Sequence, residues 1–343
     1  MNTKKKYSKP FGNLNSLKSE FFENNDGMLD MADGMADILL MQPKRTVCKI
    51  CGAKLGKPLF VSHRIGYIEC SECGHLNSEC EDTDDFAGKV YVEDDYSKNY
   101  SAKDKEGYIR RRDMIYIPKA GYLWDCLKQE GLEAKDIDIL DIGAGCGYFV
   151  SAAMELGMNA SGIDVSDTEV AYGNEAIGAD KLKCVGLTDS IDYIRNTGAN
   201  VLSAIGVLEH LVHLDENIEA IKSNRNIRYV FASVPMFSFS SCFEAAFAKG
   251  YNRHTGGTHT HLFTDRSVEK MAQKMGFEIA YEWRFGSDVN DLYRLLMVSM
   301  QKNMNRAFSE YFSEKFVPLM DDLQQVLDKS EFSSELHFIL KRS

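Results

Sequence analysis

No stretch of the chain approaches the roughly 20 consecutive apolar residues that a bilayer-spanning helix needs, so no membrane span is expected. The lysines at positions 4, 5 and 6 are followed by no apolar run, and without one a secretory leader is not expected either. Positive charge is in short supply: 40 Lys and Arg face 51 Asp and Glu, for a formal net charge of −11. A field of that sign disfavours nonspecific binding to nucleic acid or to anionic membranes. Internal repeats and low-complexity segments are absent as well, so the chain reads as globular. An even set of cysteines is also missing: nine are present, and four of them fall into two C-x-x-C pairs. That usage fits metal binding in a reducing cytoplasm better than a disulfide framework.

With 343 residues, 44% of them hydrophobic, there is room for one large domain and a smaller one. Residues 1–45 read as an N-terminal arm in which Gly12, Asn13, Asn24, Asn25 and Gly34 interrupt the helical runs. Only Met28 to Met41 has the pattern of a short amphipathic helix. Residues 46–80 carry Cys48-Lys-Ile-Cys51 and Cys70-Ser-Glu-Cys73, with 18 residues between the inner cysteines. Such spacing lets two turns aim four thiolates at one point, with a hairpin between them closing a tetrahedron. Gly52 and Gly74 directly follow the pairs and permit the turns. Cys48, Cys51, Cys70 and Cys73 are therefore the expected ligands of a structural zinc ion, with His63, His75 and Cys80 nearby. Residues 81–135 read as a linker followed by helices. Its acidic start, Glu81 to Asp95, is broken by Phe86, Val90 and Tyr91, apolar anchors that are expected to dock part of it.

Residues 136–343 are regular. Strands are expected at Ile137–Ile142, Asn159–Asp164, Lys181–Val185, Val201–Ile205, Ile227–Val234, Phe277–Phe285 and Glu335–Lys341. Helical patterns lie between them at Tyr148–Leu156, Thr168–Ile177, Ser190–Asn196, Glu209–Ser223 and Asp265–Met275. This alternation implies an α/β fold, a doubly wound sheet of seven strands, with ligands at the carboxyl ends of the strands. Residues 235–264 show no clean period and are expected to form a cap over the site. Residues 288–330 read as a helical insertion before the last strand, and any self-association is expected through it.

The most informative stretch is Ile139-Leu-Asp-Ile-Gly-Ala-Gly-Cys-Gly-Tyr-Phe-Val150, an apolar strand, a glycine turn and a helix start. A dinucleotide fingerprint would place a third glycine at position 148, where this chain has Tyr148; the glycines run G-x-G-x-G instead. This pattern, with Asp141 inside the strand, resembles the first motif of class I S-adenosylmethionine-dependent methyltransferases. Ser161-Gly-Ile-Asp-Val-Ser166 resembles the second motif, and Ile205-Gly-Val-Leu-Glu-His210 the fourth. Thr188-Asp189-Ser190 falls where that family contacts the adenine. The resemblance implies a Rossmann-like sheet with Asp141, Gly143, Ala144, Gly145 and Gly147 around the amino-acid end of S-adenosylmethionine. It implies Asp164 and Val165 at the ribose, Asp189 at the adenine, and Gly206 and Glu209 beyond the fourth strand. Tyr100, with Tyr96, would close over the cofactor as an N-terminal lid.

A zinc-ribbon module ahead of this core resembles two groups, sugar methyltransferases of capsule, O-antigen and deoxysugar pathways and ribosomal-RNA base methyltransferases. RNA affinity rests on phosphate neutralisation, which seven acids within residues 81–95 and the acidic chain oppose. The segment Arg253-His-Thr-Gly-Gly-Thr-His-Thr-His-Leu-Phe-Thr264, followed by Gly276-Phe-Glu, also resembles the polysaccharide group. O-methylation of a sugar or sugar nucleotide is the leading expectation, since no extra domain follows the last expected strand. C-methylation of a keto-sugar nucleotide is the first alternative and RNA methylation the second; an inactive interaction module is the non-enzymatic one. A sugar hydroxyl needs a general base, and the candidates in order are His261, His259 and His210. Arg253 is read mainly as an exposed surface arginine, with an acceptor's phosphate or acid as its functional reading. Asp288 and Asp291 are read as acids in the first turn of a helix.

Overall fold

Buried strands of a parallel sheet are covered on both faces, so they read as continuous apolar runs rather than as alternations. The computed structural model bears this pattern out and describes residues 3–9, 24–92, 104–247, 250, 252–256, 259–303 and 306–343. Tyr96 and Tyr100, expected as a lid, lie outside the described residues, as do Glu93, Asp94 and Asp95.

The chain begins with strand β1 (Lys4–Tyr7) and helix α1 (Asn25–Leu40). Strands β2 (Phe60–Ser62), β3 (Ile65–Glu69) and β4 (Leu76–Ser78) follow, then α2 (Asp84–Ala87) with a π-helical turn at Gly88–Val92. Helices α3 (Lys105–Arg111) and α4 (Ile117–Gln129) lead into the regular core. There β5 (Asp138–Ile142), α5 (Tyr148–Glu155), β6 (Asn159–Asp164), α6 (Asp167–Ile177) and β7 (Leu182–Cys184) alternate. They continue through α7 (Asp189–Asn196), β8 (Val201–Ile205), α8 (Leu214–Ser223) and β9 (Tyr229–Pro235). After α9 (Phe239–Ala246) come β10 (His261–Leu262), α10 (Asp265–Met275) and β11 (Phe277–Phe285). The insertion is α11 (Asp288–Asn303), α12 (Arg306–Phe316) and α13 (Met320–Lys329), and β12 (Glu335–Arg342) ends the chain.

The main sheet runs β1-β11-β12-β9-β8-β5-β6-β7. Strands β5 to β9 pair in parallel, and β12 lies antiparallel between β9 and β11. Among the described residues this sheet has eight strands, where the sequence pattern yields seven. The additional one, β1, comes from the arm and pairs in parallel with β11 from Lys4↔Tyr281 to Tyr7↔Arg284. Its sequence, Lys-Lys-Lys-Tyr, has no apolar alternation, because an edge strand is held by backbone pairing and can present charge to solvent. Its lysines also cover aromatic rings: Lys6 Nζ sits 4.0 Å from the Trp283 ring centroid. The helix read from Glu209 is instead a 3₁₀ turn at Leu208–His210 and then α8, whose first turn holds Asp215 and Glu216.

A second sheet, β10-β4-β3-β2, contains the hairpin expected between the cysteine pairs. Its fourth strand leaves no signal in the sequence, since β10 arrives from the cap, with His261 opposite Asn77 and Leu262 opposite Leu76. Cys48, Ile50, Cys70 and Cys73 share one hydrophobic cluster with Met271, Met275 and Phe277 of the core. The cysteine module is thus welded to the large sheet. In the acidic segment, Thr83 caps α2 and Phe86 and Val90 are fully buried. Among the described residues no helix is long and apolar enough to cross a membrane.

Candidate functional site

The glycine turn between β5 and α5 uses its glycines for conformation and for space. Gly143, Gly145 and Gly147 have φ of 62°, 52° and 69°, values that residues with side chains rarely adopt. A Cβ on Gly143 would come within 2.6 Å of Val207 Cγ2, and one on Gly147 within 2.7 Å of Leu182 Cδ1. The backbone is exposed at Gly143 and half-buried at Ala144 and Gly145, so the turn offers bare peptide groups at the mouth of the sheet. Tyr148, at the missing third glycine, is buried and stacks on Tyr108 at 4.5 Å and on Tyr116 at 5.3 Å. Tyr108 also donates a hydrogen bond from Oη to the Cys146 carbonyl at 3.1 Å. The turn is therefore braced from behind by tyrosines of the preceding helices, a role the sequence pattern does not signal.

Asp164 ends β6 beside the turn: Oδ2 accepts from Gly145 N–H at 2.7 Å and Oδ1 from Ser166 N–H at 2.9 Å. Burial raises its pKa despite these bonds. Val165 follows half-buried; Gly206, at the end of β8, is exposed with φ 69°, and Asp189 is exposed in the first turn of α7. All of these positions follow or flank the carboxyl ends of parallel strands, where doubly wound sheets bind ligands. A cradle of bare backbone with an acid at the next strand end fits a nucleoside carrying an amino-acid tail.

Asp141 lies beneath the turn, fully buried, with Oδ1 accepting from Ser203 Oγ at 2.6 Å. Burial pushes its pKa up from 3.8 to about 7. A carboxyl with a raised folded pKa stabilises the fold fully below its unfolded pKa and loses that contribution as pH rises through the folded one. Stability should therefore decline between about pH 4 and pH 7 by on the order of 2–4 kcal/mol from this group alone. Asp141→Asn, which keeps an acceptor for Ser203, is expected to remove that decline. Thermal melts of both proteins from pH 4 to pH 8 check it, and parallel curves would assign the slope elsewhere.

The cap is organised by two buried carboxylates. Glu244 of α9 accepts hydrogen bonds from the N–H groups of Arg253, His254 and Thr255 and from the Thr255 hydroxyl, at 2.8 to 3.2 Å. Asp291 accepts from Arg253 Nε at 2.9 Å and Nη2 at 2.8 Å. Arg253 is thus not the exposed arginine read from the sequence: it is half-buried and its guanidinium is occupied by Asp291 and Ser287. Burial opposes ionisation of Asp291, yet the Arg253 guanidinium holds its carboxyl far below the usual range. Asp288 is spent on Ser238, Ser240, Ser334 and Gln324, which tie the insertion to the cap.

The three candidate histidines have different surroundings. His261, on β10, is fully buried; its Nδ1 meets His75 Nε2 at 2.9 Å and its ring lies 5.4 Å from Phe263. It occupies the seam between the cysteine module and the cap. His210 and His259 instead face each other with ring centroids 5.2 Å apart. Tyr91, from the end of the acidic segment, hydrogen-bonds His210 Nδ1 at 3.0 Å. Glu209 is 3% exposed and burial pushes its pKa up to about 8; its Oε2 has no partner among the described residues, and neither has His259 Nδ1. Ligand atoms of Glu209, His210 and His259 lie within 4.8 Å of one another. Val207, over Gly143, joins this group to the glycine turn.

The four cysteine sulfurs also lie within 4.8 Å of one another, with Cys48 to Cys73 at 3.6 Å and Cys51 to Cys70 at 3.5 Å. A tetrahedron of sulfurs bonded at about 2.3 Å to zinc has edges of about 3.8 Å. Gly52 and Gly74 take φ of 72° and 70° at the two turns.

Fold, glycine turn and strand-end acids together define a class I methyltransferase domain, and residues 118–282 match the model of a methyltransferase domain. This stretch of the chain is a methyltransferase domain. Among solved structures, it is similar to the methyltransferase domain of bacterial CtHen1, with 14% identity over 65% of this chain and 97% of that one, at a TM-score of 0.41. The magnesium protoporphyrin IX methyltransferase of Synechocystis, solved with S-adenosylhomocysteine, is 13% identical over 75% of this chain and 97% of that one, at 0.43. Phosphoethanolamine N-methyltransferase 2 of Haemonchus contortus is 18% identical over 64% of this chain and 51% of that one, at 0.39. No curated protein matches the sequence.

Proposed function

We propose that the enzyme methylates a hydroxyl of a sugar or sugar nucleotide in surface-polysaccharide synthesis. The observation that carries this reading is the polar group of Glu209, His210 and His259, placed beside the glycine turn and under the cap. The cap around it is hydrophilic, built from His254, Thr255, Arg253 and two buried carboxylates, which suits a polyhydroxylated acceptor better than an apolar one. The whole chain's charge of −11 weighs against RNA.

S-adenosylmethionine, when bound, supplies a sulfonium methyl open to in-line attack. Gly143, Ala144, Gly145 and Gly147 cradle its amino-acid end, Asp164 accepts from the ribose hydroxyls with Val165 beside it, and Asp189 takes the adenine amino group. Gly206 and Glu209 border the methyl end. The acceptor hydroxyl is oriented over His259, which burial holds neutral, so its Nδ1 lone pair is available to activate that hydroxyl. His210, fixed by Tyr91, stands next to it, while His261 acts from behind as part of the module seam. Cys48, Cys51, Cys70 and Cys73 hold a structural zinc ion that folds the small sheet.

His259→Ala is expected to lower turnover on the true acceptor about 100-fold or more, while affinity for S-adenosylhomocysteine stays within about threefold. Incubation with a panel of sugar nucleotides, read by mass spectrometry for a gain of one methylene, identifies the acceptor. Solvent deuterium at a ring carbon of the product would shift the reading to C-methylation, and unchanged turnover in the variant would remove His259 from the site.

A further inference from the structure

Three potential ligand atoms meet beside the glycine turn, and two of them are left bare. Among the described residues, Glu209 Oε2 is buried without a partner, and His259 Nδ1 is bare in the same way. His210 Nε2 lies 3.9 Å from Glu209 Oε1. An octahedral ion with bonds of about 2.1 Å holds adjacent ligands about 3 Å apart and opposed ones about 4.2 Å apart, so small side-chain rotations bring the three atoms onto one ion. The outer contacts are those that orient metal-ligating imidazoles. Tyr91 Oη meets His210 Nδ1 at 3.0 Å, and Nε2 of the same ring lies 3.9 Å from Glu209 Oε1. The His259 carbonyl accepts from Tyr67 Oη at 3.2 Å, and His259 Nδ1 has no partner among the described residues. The His254 ring lies 6.4 Å from that of His259, and His254 is held at its backbone by Glu244.

We propose that Glu209, His210 and His259 bind a divalent first-row cation such as Mn²⁺, Fe²⁺ or Zn²⁺, with its remaining positions open to the acceptor oxygen. Two imidazoles and one carboxylate select such ions over Ca²⁺ and Mg²⁺, which prefer oxygen. The role of the cation, though not its binding, rests on the acceptor reading above. A hydroxyl bound to the ion is acidified and releases its proton to water as its oxygen bonds the methyl carbon. The sulfur–methyl electron pair then stays on sulfur. With the ion bound, the Nδ1 lone pair of His259 is a ligand rather than the base, and it activates the acceptor through the metal.

The test is titration of the full chain with MnCl₂, read by the electron paramagnetic resonance signal of free Mn²⁺, because Mn²⁺ competes poorly for the four thiolates. One ion per chain is expected for the wild type, with affinity reduced at least tenfold in Glu209→Gln and in His259→Gln and unchanged in Glu216→Gln. Glu216 is an exposed acid on the neighbouring helix. Circular dichroism and S-adenosylhomocysteine binding establish that each variant is folded; Glu209→Gln, which preserves shape, remains decisive if His259→Gln does not fold. Absence of Mn²⁺ binding below about 1 mM, or equal binding by wild type and the folded variants, overturns the site. Specific Mn²⁺ binding without methylation of any sugar nucleotide would leave the site standing and remove the acceptor reading; methylation without specific Mn²⁺ binding would do the reverse.

Discussion

Asp164→Ala is expected to weaken binding of S-adenosylhomocysteine by about 30-fold to 1000-fold in isothermal titration. The acid stands at the end of β6, where it can accept from both ribose hydroxyls, and it already orders the turn by accepting from Gly145 and Ser166. Hydrogen bonds to a charged acceptor contribute about 1.5–3 kcal/mol each, and a net loss of about 2–4 kcal/mol, between one such bond and two, corresponds to that range. The effect comes from two sources, lost contacts and a loosened glycine turn. Asp164→Asn separates them, since it keeps an acceptor for one backbone N–H and is expected to fall between wild type and Ala. Unchanged affinity in Asp164→Ala would place the ribose elsewhere and undo the proposed cofactor orientation.

The second large effect concerns the cysteines. With the cysteines as the proposed zinc ligands, wild type should carry one zinc per chain by atomic emission; Cys70→Ser combined with Cys73→Ser should abolish it and reduce methyl transfer at least about 100-fold, with S-adenosylhomocysteine affinity within about threefold of wild type. Structural zinc contributes about 10–16 kcal/mol of apparent binding energy in small modules, more than the short strands β2 to β4 can replace. The consequence reaches the acceptor side because β10 is a strand of the module's own sheet. Tyr67 of β3 donates to the His259 carbonyl at 3.2 Å and accepts from the Gly256 N–H. Ser62 of β2 meets Thr255 at 2.7 Å, and Thr260 meets Asp82 at 3.2 Å. Removing the metal therefore releases the segment that positions His259, while the glycine turn sits on the other side of Val207. Full turnover in a zinc-free double variant would show that the cap holds its shape alone.

Much of the proposed cofactor half is legible in the amino-acid sequence, because each part of it is local. A glycine turn announces itself by three glycines and an apolar run on either side, and Asp164 by its place at the end of the next strand. Strand ends in a β–α alternation follow from chain order, so these residues come together without further information. The acceptor half is less legible. His259 and His261 are two residues apart in the same polar segment, and nothing in the sequence separates their roles. Pairing with Asn77 puts His261 into the small sheet against His75, while His259 faces His210. Tyr91 reads only as an anchor within an acidic linker, and its contact with His210 spans 119 residues. Glu244 reads as one acid among many, because a carboxylate that collects backbone N–H groups leaves no periodic trace.

By itself the sequence determined that the core would be a doubly wound sheet with a glycine turn at a strand end, and that four cysteines would converge. Those features rest on short-range rules, apolar period, glycine conformation and ligand spacing, each satisfied within some 30 residues. Tertiary structure alone decided that β1 would become an eighth strand, that the cysteine module would share a strand with the cap, and that Tyr91, Glu209, His210 and His259 would meet. Such arrangements depend on pairing between distant segments whose side chains are polar or mixed. Burial and backbone hydrogen bonding select them only once the core has formed, so no pattern along the chain records them.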